Sequence, residues 1–203
     1  MKRTYIMQLD DEQAAMVRTI TAISELNPDF NWIDVQMTID RGADISGYKF
    51  LIRLTDGQML MYEACADPDR EDRFIFVPDR ILSEKLPFKK DTFDLNEWLN
   101  TTFRDMLPES LNEVAECIFI PTEWNVFGTN FYSSTNPKEK RWSCFTDAES
   151  RMRNQEYWLA SQNRRHEEAA CFVKMDGSPS TFSKINRCGV LPCFSIRRKV
   201  WNT

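Results

Sequence analysis

Histidine, closely paired cysteines and glycine-rich turns are what this 203-residue chain lacks. Its one histidine, His166, sits in the polar run SQNRRHEEAA, so a Ser-His-Asp or Cys-His centre would have to be built on a residue whose setting is that of an exposed loop. No Cys-x2-Cys pair occurs. The closest cysteines, Cys188 and Cys193, have four residues between them, and zinc would need the fold to bring Cys144, Cys171, Cys188 and Cys193 together from distant positions. There is no Gly-rich phosphate loop and no recognised motif that pairs two carboxylates. No apolar run approaches the roughly 20 residues of a membrane span. The opening MKRTYIMQLDDE carries basic residues without the apolar stretch of a signal peptide. These absences lead us to expect a soluble, cytoplasmic protein with no cofactor, no metal and no catalytic residues. Its six cysteines, Cys65, Cys117, Cys144, Cys171, Cys188 and Cys193, are then expected to be reduced thiols packed as small hydrophobes.

What is present is a core. With 42% hydrophobic and 12% aromatic residues, the chain has enough apolar surface for one sizeable domain, alone or with a small extension. The net charge of -5 is unevenly spread: residues 1–100 hold 12 basic against 19 acidic side chains, whereas residues 137–203 hold 13 against 7. A surface with both signs on it accounts for this. The sharper reading is a basic face near residues 137–203 that meets an anion, and an acidic first half that meets a basic partner or keeps nucleic acid away.

Thr4–Leu9 reads as a short strand, and Asp10 with Gln13 opens a helix whose stripe is Met16, Val17, Ile20, Ile23 and Leu26. NWIDVQMTID alternates Ile33, Val35, Met37 and Ile39 against polar neighbours, which predicts a strand. YKFLIRLTDGQMLMYEA predicts a hairpin about Asp56-Gly57. FDLNEWLNTTFRDML predicts a helix capped by Asp94 and Glu97, and Pro108 to Cys117 a short second one. CIFIPTEW follows as a strand, NVFGTNFYSSTNPKEK as a long polar and aromatic loop, and Thr146 with Glu149 opens a helix over DAESRMR. EYWLAS, AACFVKM and GVLPCFSI are strands, with a turn at Asp176-Gly177-Ser178.

The helix LNEWLNTTF, the helix start FTDAE, the strand YWLAS, the turn FVKMDGS and the stretch GVLPCFSIR occur in that order. In this they resemble a domain of unassigned function from gut bacteria and their mobile elements, itself similar to the C-type-lectin-like fold of formylglycine-generating enzymes. The resemblance covers roughly residues 45–199. It implies an α+β fold: a C-type-lectin-like core of short antiparallel strands, two or more helices and long loops over residues 41–203, with a strand-helix extension over residues 1–40. The chain departs from that pattern at Leu191 and Ala160, where the family carries arginines. The relatives' reactive cysteine pair has no counterpart in Cys188 and Cys193, and the Glu-Pro-Asn and Trp-Asn-Asp triplets of calcium-dependent sugar sites have only a partial echo in Glu123, Trp124 and Asn125. Gly189 is expected to turn the chain into the last strand, and Arg197, Arg198 and Lys199 to face solvent.

The expected function is non-enzymatic recognition of a protein or other macromolecule through loops of this scaffold, with nucleic acid and membrane disfavoured as partners. The candidate contact residues are the large side chains of the long loop, Trp124, Asn125, Phe131, Tyr132 and Trp142, with Arg164, Arg165 and His166 from SQNRRHEE. Two further readings stand beside it: an inhibitor of a host defence protein encoded by a phage or mobile element, and a cysteine- or metal-dependent oxidoreductase.

Overall fold

The structure, a computed structural model, describes residues 30–134 and 140–199. The strand over Thr4–Leu9 and the helix that follows it lie outside the described residues. The chain is α+β. It runs through helix α1 (Trp32–Asp40), strands β1 (Lys49–Arg53), β2 (Met59–Ala66) and β3 (Arg73–Pro78), and the two-residue strands β4 (Leu86–Pro87), β5 (Lys89–Lys90) and β6 (Phe93–Asp94). Helix α2 (Leu95–Trp98) continues through a π turn (Leu99–Phe103) and a 3-10 turn (Arg104–Met106) into α3 (Glu109–Val114), β7 (Cys117–Phe119), α4 (Glu123–Phe127) and α5 (Ala148–Arg151). The remaining strands are β8 (Tyr157–Gln162), β9 (Ala169–Val173), β10 (Pro179–Ser183), β11 (Arg187–Cys188) and β12 (Cys193–Arg197). None of the described helices is long and apolar enough to cross a membrane.

The main sheet is antiparallel, in the order β1-β2-β3-β12-β7. Because successive side chains of a strand leave on opposite faces, the central strands β3 and β12 feed two cores. Phe50, Tyr62, Phe76 and Phe194 point to the first core, where the helices α1, α2 and α3 cover the sheet with Trp32, Ile39, Leu99 and Leu111. Ile75, Val77 and Cys193 point to the second, against Val126, Trp142, Phe145 and Tyr157. A three-stranded sheet, β10-β9-β8, bridges the two: Trp158 and Phe172 reach the first core, Leu159 and Val173 the second. Its β9–β10 hairpin turns at Gly177 with φ +76°, where a Cβ would lie 2.4 Å from the Ala148 carbonyl oxygen.

The stretch expected to be a strand at NWIDVQMTID is helix α1, and the reason is its other periodicity. Asn31 caps the helix, its side chain accepting from the Ile33 N–H. Trp32, Val35 and Ile39, spaced by three and four, are buried, while two of the residues that alternated, Ile33 and Met37, are exposed on the outer side. Trp32 is fully enclosed, its ring centroid 5.5 Å from Phe50, 5.5 Å from Phe76 and 5.6 Å from Phe194. Residues 30–40, placed by sequence in the extension, therefore belong to the same core as the sheet.

Three tertiary contacts explain residues whose roles the sequence left open. Arg197 and Lys199 are exposed as expected, and the segment is also tied down: Arg197 donates to Asp72 at 2.7 Å, while Arg198 Nε donates to the Ile39 carbonyl at 2.9 Å and the Lys199 N–H to Asp40 at 2.7 Å, which fasten the end of β12 to α1. Gly189 does not form a left-handed turn; its Cβ would lie 2.5 Å from the Glu156 carbonyl oxygen and 2.5 Å from Ile81, and its own backbone pairs with β8 through Trp158 N–H and Glu156 C=O. Asn100, in the π turn, gives its side-chain amide to Ile118 C=O at 3.0 Å and accepts from Ile118 N–H at 3.3 Å, completing the hydrogen bonding of edge strand β7 as a neighbouring strand would. Cutting Trp32 back to alanine is expected to cost about 3–5 kcal/mol in urea denaturation, whereas Met37→Ala on the outer side changes stability by less than about 0.5 kcal/mol.

Candidate functional site

The long loop after β7 begins as helix α4. Thr122 caps it, and Thr122 and Asn125 hydrogen-bond reciprocally, side chain to backbone. The cap turns Glu123 inward, where its side chain is fully buried. Its carboxylate accepts from Tyr132 N–H at 3.1 Å, Ser133 N–H at 2.9 Å and Ser133 Oγ at 2.6 Å. A buried charge is tolerated only when hydrogen bonds replace its water, and here neutral donors do so. The effect is to tie the backbone at Tyr132 and Ser133 to α4.

The second loop, after β8, is organised by Asn163. Its buried side-chain oxygen accepts from Arg165 N–H at 2.8 Å and His166 N–H at 3.3 Å, a turn closed by a side chain in place of backbone. The Arg164 N–H then donates to the Tyr132 carbonyl at 3.0 Å. The peptides flanking Tyr132 thus lock both loops together, one side to Glu123 and the other to Arg164. Phe131, Tyr132, Arg164, Arg165 and His166 are left exposed around a concavity of about 300 Å³, with Asn163 and Thr181 completing its lining. A second concavity of about 310 Å³ lies beside it, lined by Thr122, Asn130, Ser133, Ser134 and the Ala160–Gln162 end of β8.

Five of the eight residues singled out by sequence therefore share one surface, and three do not. Trp142 is a core residue, 3% exposed, packed against Phe119 and Phe145 with its N–H on the Asn125 carbonyl. Asn125 is buried by its capping role. Trp124 is half-buried on α4 and does not line the concavity. The sequence reading missed Glu123 and Asn163 as anchors; an Asn two residues before Arg165 was the available signal for the second. The helix start read at Thr146 and Glu149 lies one residue on, with Asp147 as cap and Ser150 as its reciprocal partner. Leu191 is buried in the second core, and exposed Ala160 lines the second concavity.

All six thiols are free. Cys65, Cys144 and Cys193 neighbour one another and Cys171 lies in the second core with Cys193, but Cys188 belongs to the first core, apart from the other three considered for zinc. Among the described residues no group of three or more His, Cys, Asp or Glu side chains is placed to hold a metal ion. Burial pushes the Cys171 and Cys188 thiols up to about 12 and raises Cys193 well above the usual thiol range, while a hydrogen bond with Cys65 raises Cys144. These groups are thiols, not nucleophilic thiolates, at neutral pH. Comparison of the chain with protein-family models, curated proteins and solved structures finds no match.

Two outcomes follow from these anchors and thiols. Glu123→Ala strands the donors at Tyr132 and Ser133, and is expected to lose about 3 kcal/mol in urea denaturation and to speed hydrogen exchange at those two amides. In the unfolded chain the thiols ionise near pH 8.5, whereas Cys171 and Cys188 hold their protons to about 12. Above pH 8.5 the unfolded state therefore binds fewer protons, so stability falls as pH rises from about 9 towards 12; urea midpoints measured across that range read it directly.

Proposed function

We propose that this chain is a non-enzymatic recognition protein that binds a protein partner through residues 129–134 and 163–166, on a scaffold of the C-type-lectin-like kind. The observation that carries this reading is the pair of hydrogen bonds on the Tyr132 backbone, which tie two loops together while leaving aromatic and cationic side chains outside. Loops tied in this way lose less entropy on binding than free ones, and exposed aromatics with arginine are the residue types that dominate interface energies. Packing of the cysteines as protonated thiols supports the non-enzymatic half of the reading. The α+β core supports the scaffold, since its small sheet and α4 gather the two loops on one side. The acidic balance of the chain and the small number of cations in the concavity favour a protein over nucleic acid.

The test is affinity capture followed by crosslinking and mass spectrometry on the recovered complex. Crosslinks are expected to concentrate on residues 129–134 and 163–168, and the double substitution Phe131→Ala with Tyr132→Ala to weaken binding by about tenfold or more. Met175→Ala, at the turn end of the β9–β10 hairpin, serves as the exposed control and leaves binding unchanged. Full affinity in the Phe131/Tyr132 variant overturns the proposal.

A further inference from the structure

Most other described arginines are engaged, Arg73, Arg187 and Arg197 with the carboxylates of Asp67, Glu84 and Asp72, and Arg104, Arg151 and Arg198 with backbone carbonyls. Arg164 and Arg165 are different. Neither guanidinium makes an ion pair or side-chain hydrogen bond with any described residue, although Glu167 and Glu168 follow them in the same loop. Their backbones are nonetheless fixed, one on the Tyr132 carbonyl and the other on Asn163. Two planar cations without a described partner and the imidazole of His166 thus line one concavity with Phe131 and Tyr132, which are 49% and 36% exposed.

We infer that this concavity takes a carboxylate carried beside an aromatic or bulky apolar group, of the kind an acidic peptide segment presents. The inference rests on reading the site as a recognition surface and names what it recognises. The chemistry is complementary: a guanidinium matches the two oxygens of a carboxylate with two parallel N–H donors, and the aromatic rings supply apolar area for the body that bears it. The charge count selects one negative charge over several. Glu167 and Glu168 follow the cations in the same loop, so a phosphate dianion or a polyanion meets more repulsion from them than a single carboxylate does.

His166 is the only histidine of the chain, so its ring C–H signals in a proton NMR spectrum are readable without assigning the rest. The full chain is titrated with N-acetylphenylalanine, which carries the carboxylate at a chain end, and with N-acetyl-Phe-Glu-amide, which carries it on a side chain. N-acetylphenylalaninamide is the uncharged control and phenyl phosphate the dianion. At least one of the two acids is expected to shift the His166 signals saturably, and whichever binds tighter identifies the source of the carboxylate. The amide is expected to leave the signals in place and phenyl phosphate to bind more weakly. Arg164→Ala with Arg165→Ala, both solvent-exposed and so tolerated by the fold, weakens the acid by about tenfold or more. No saturable shift with either acid, an equal response to the amide, tighter binding of phenyl phosphate, or an unchanged affinity in the double variant overturns the inference. Such a failure with partner capture still dependent on Phe131 and Tyr132 removes the carboxylate alone; partner capture indifferent to Phe131 and Tyr132 removes the recognition reading, whatever the titration shows.

Discussion

Two carboxylates are buried among the described residues, and they are satisfied in opposite ways. Asp67 has a cation, Arg73; Glu123 has neutral donors from a single loop. An ion pair fixes two side chains. A carboxylate that collects backbone N–H groups fixes the path of the chain itself, and at Glu123 that path is the rim of the concavity. The placement of Phe131 and Tyr132, the docking of Arg164 on the Tyr132 carbonyl and the opening beside Thr181 all follow from where that one carboxylate sits. It can sit there because Thr122 and Asn125 start α4 at the right residue, and because Ser161 Oγ, at the end of β8, takes the Glu123 N–H at 2.8 Å.

The two cores divide the labour. The first is aromatic and helical, with Phe76 and Phe194 stacked at 4.6 Å under Trp32, and it supplies most of the buried apolar surface. The second is smaller, carries Cys171 and Cys193, and lies under the loops. A recognition surface above the second core can vary at its rim without disturbing the first, since the rim residues contribute little to either cluster.

How much of this the sequence could reveal depended on the range of the forces involved. The β1–β2 hairpin at Asp56-Gly57 and the turn at Asp176-Gly177-Ser178 were legible because a glycine with positive φ is a local requirement. The N-cap at Asp94 was legible for the same reason. Helix α1 was not: its residues satisfy an alternating and a helical pattern equally, and only the aromatic pocket of Phe50, Phe76 and Phe194 decides between them. Gly189 was read as a turn because close approach to Ile81 and Glu156 cannot be seen from its neighbours in the chain. In the site, exposed aromatics and arginines were legible by type, but Trp142 and Asn125 were misplaced, since a tryptophan or asparagine reads alike whether it faces solvent or the interior. Glu123 was passed over because a buried carboxylate without a basic partner has no sequence signature.

Strand β12 lies between β3 and β7 in the main sheet, yet it follows every other described strand in the chain. Until residues 193–197 are in place, β3 and β7 each present an open edge and the aromatic pocket for Trp32 lacks Phe194. The native sheet therefore cannot close before these residues are available, and a chain cut short before Cys193 exposes two sticky strand edges. The segment that closes the sheet thus also clasps α1 through Arg198.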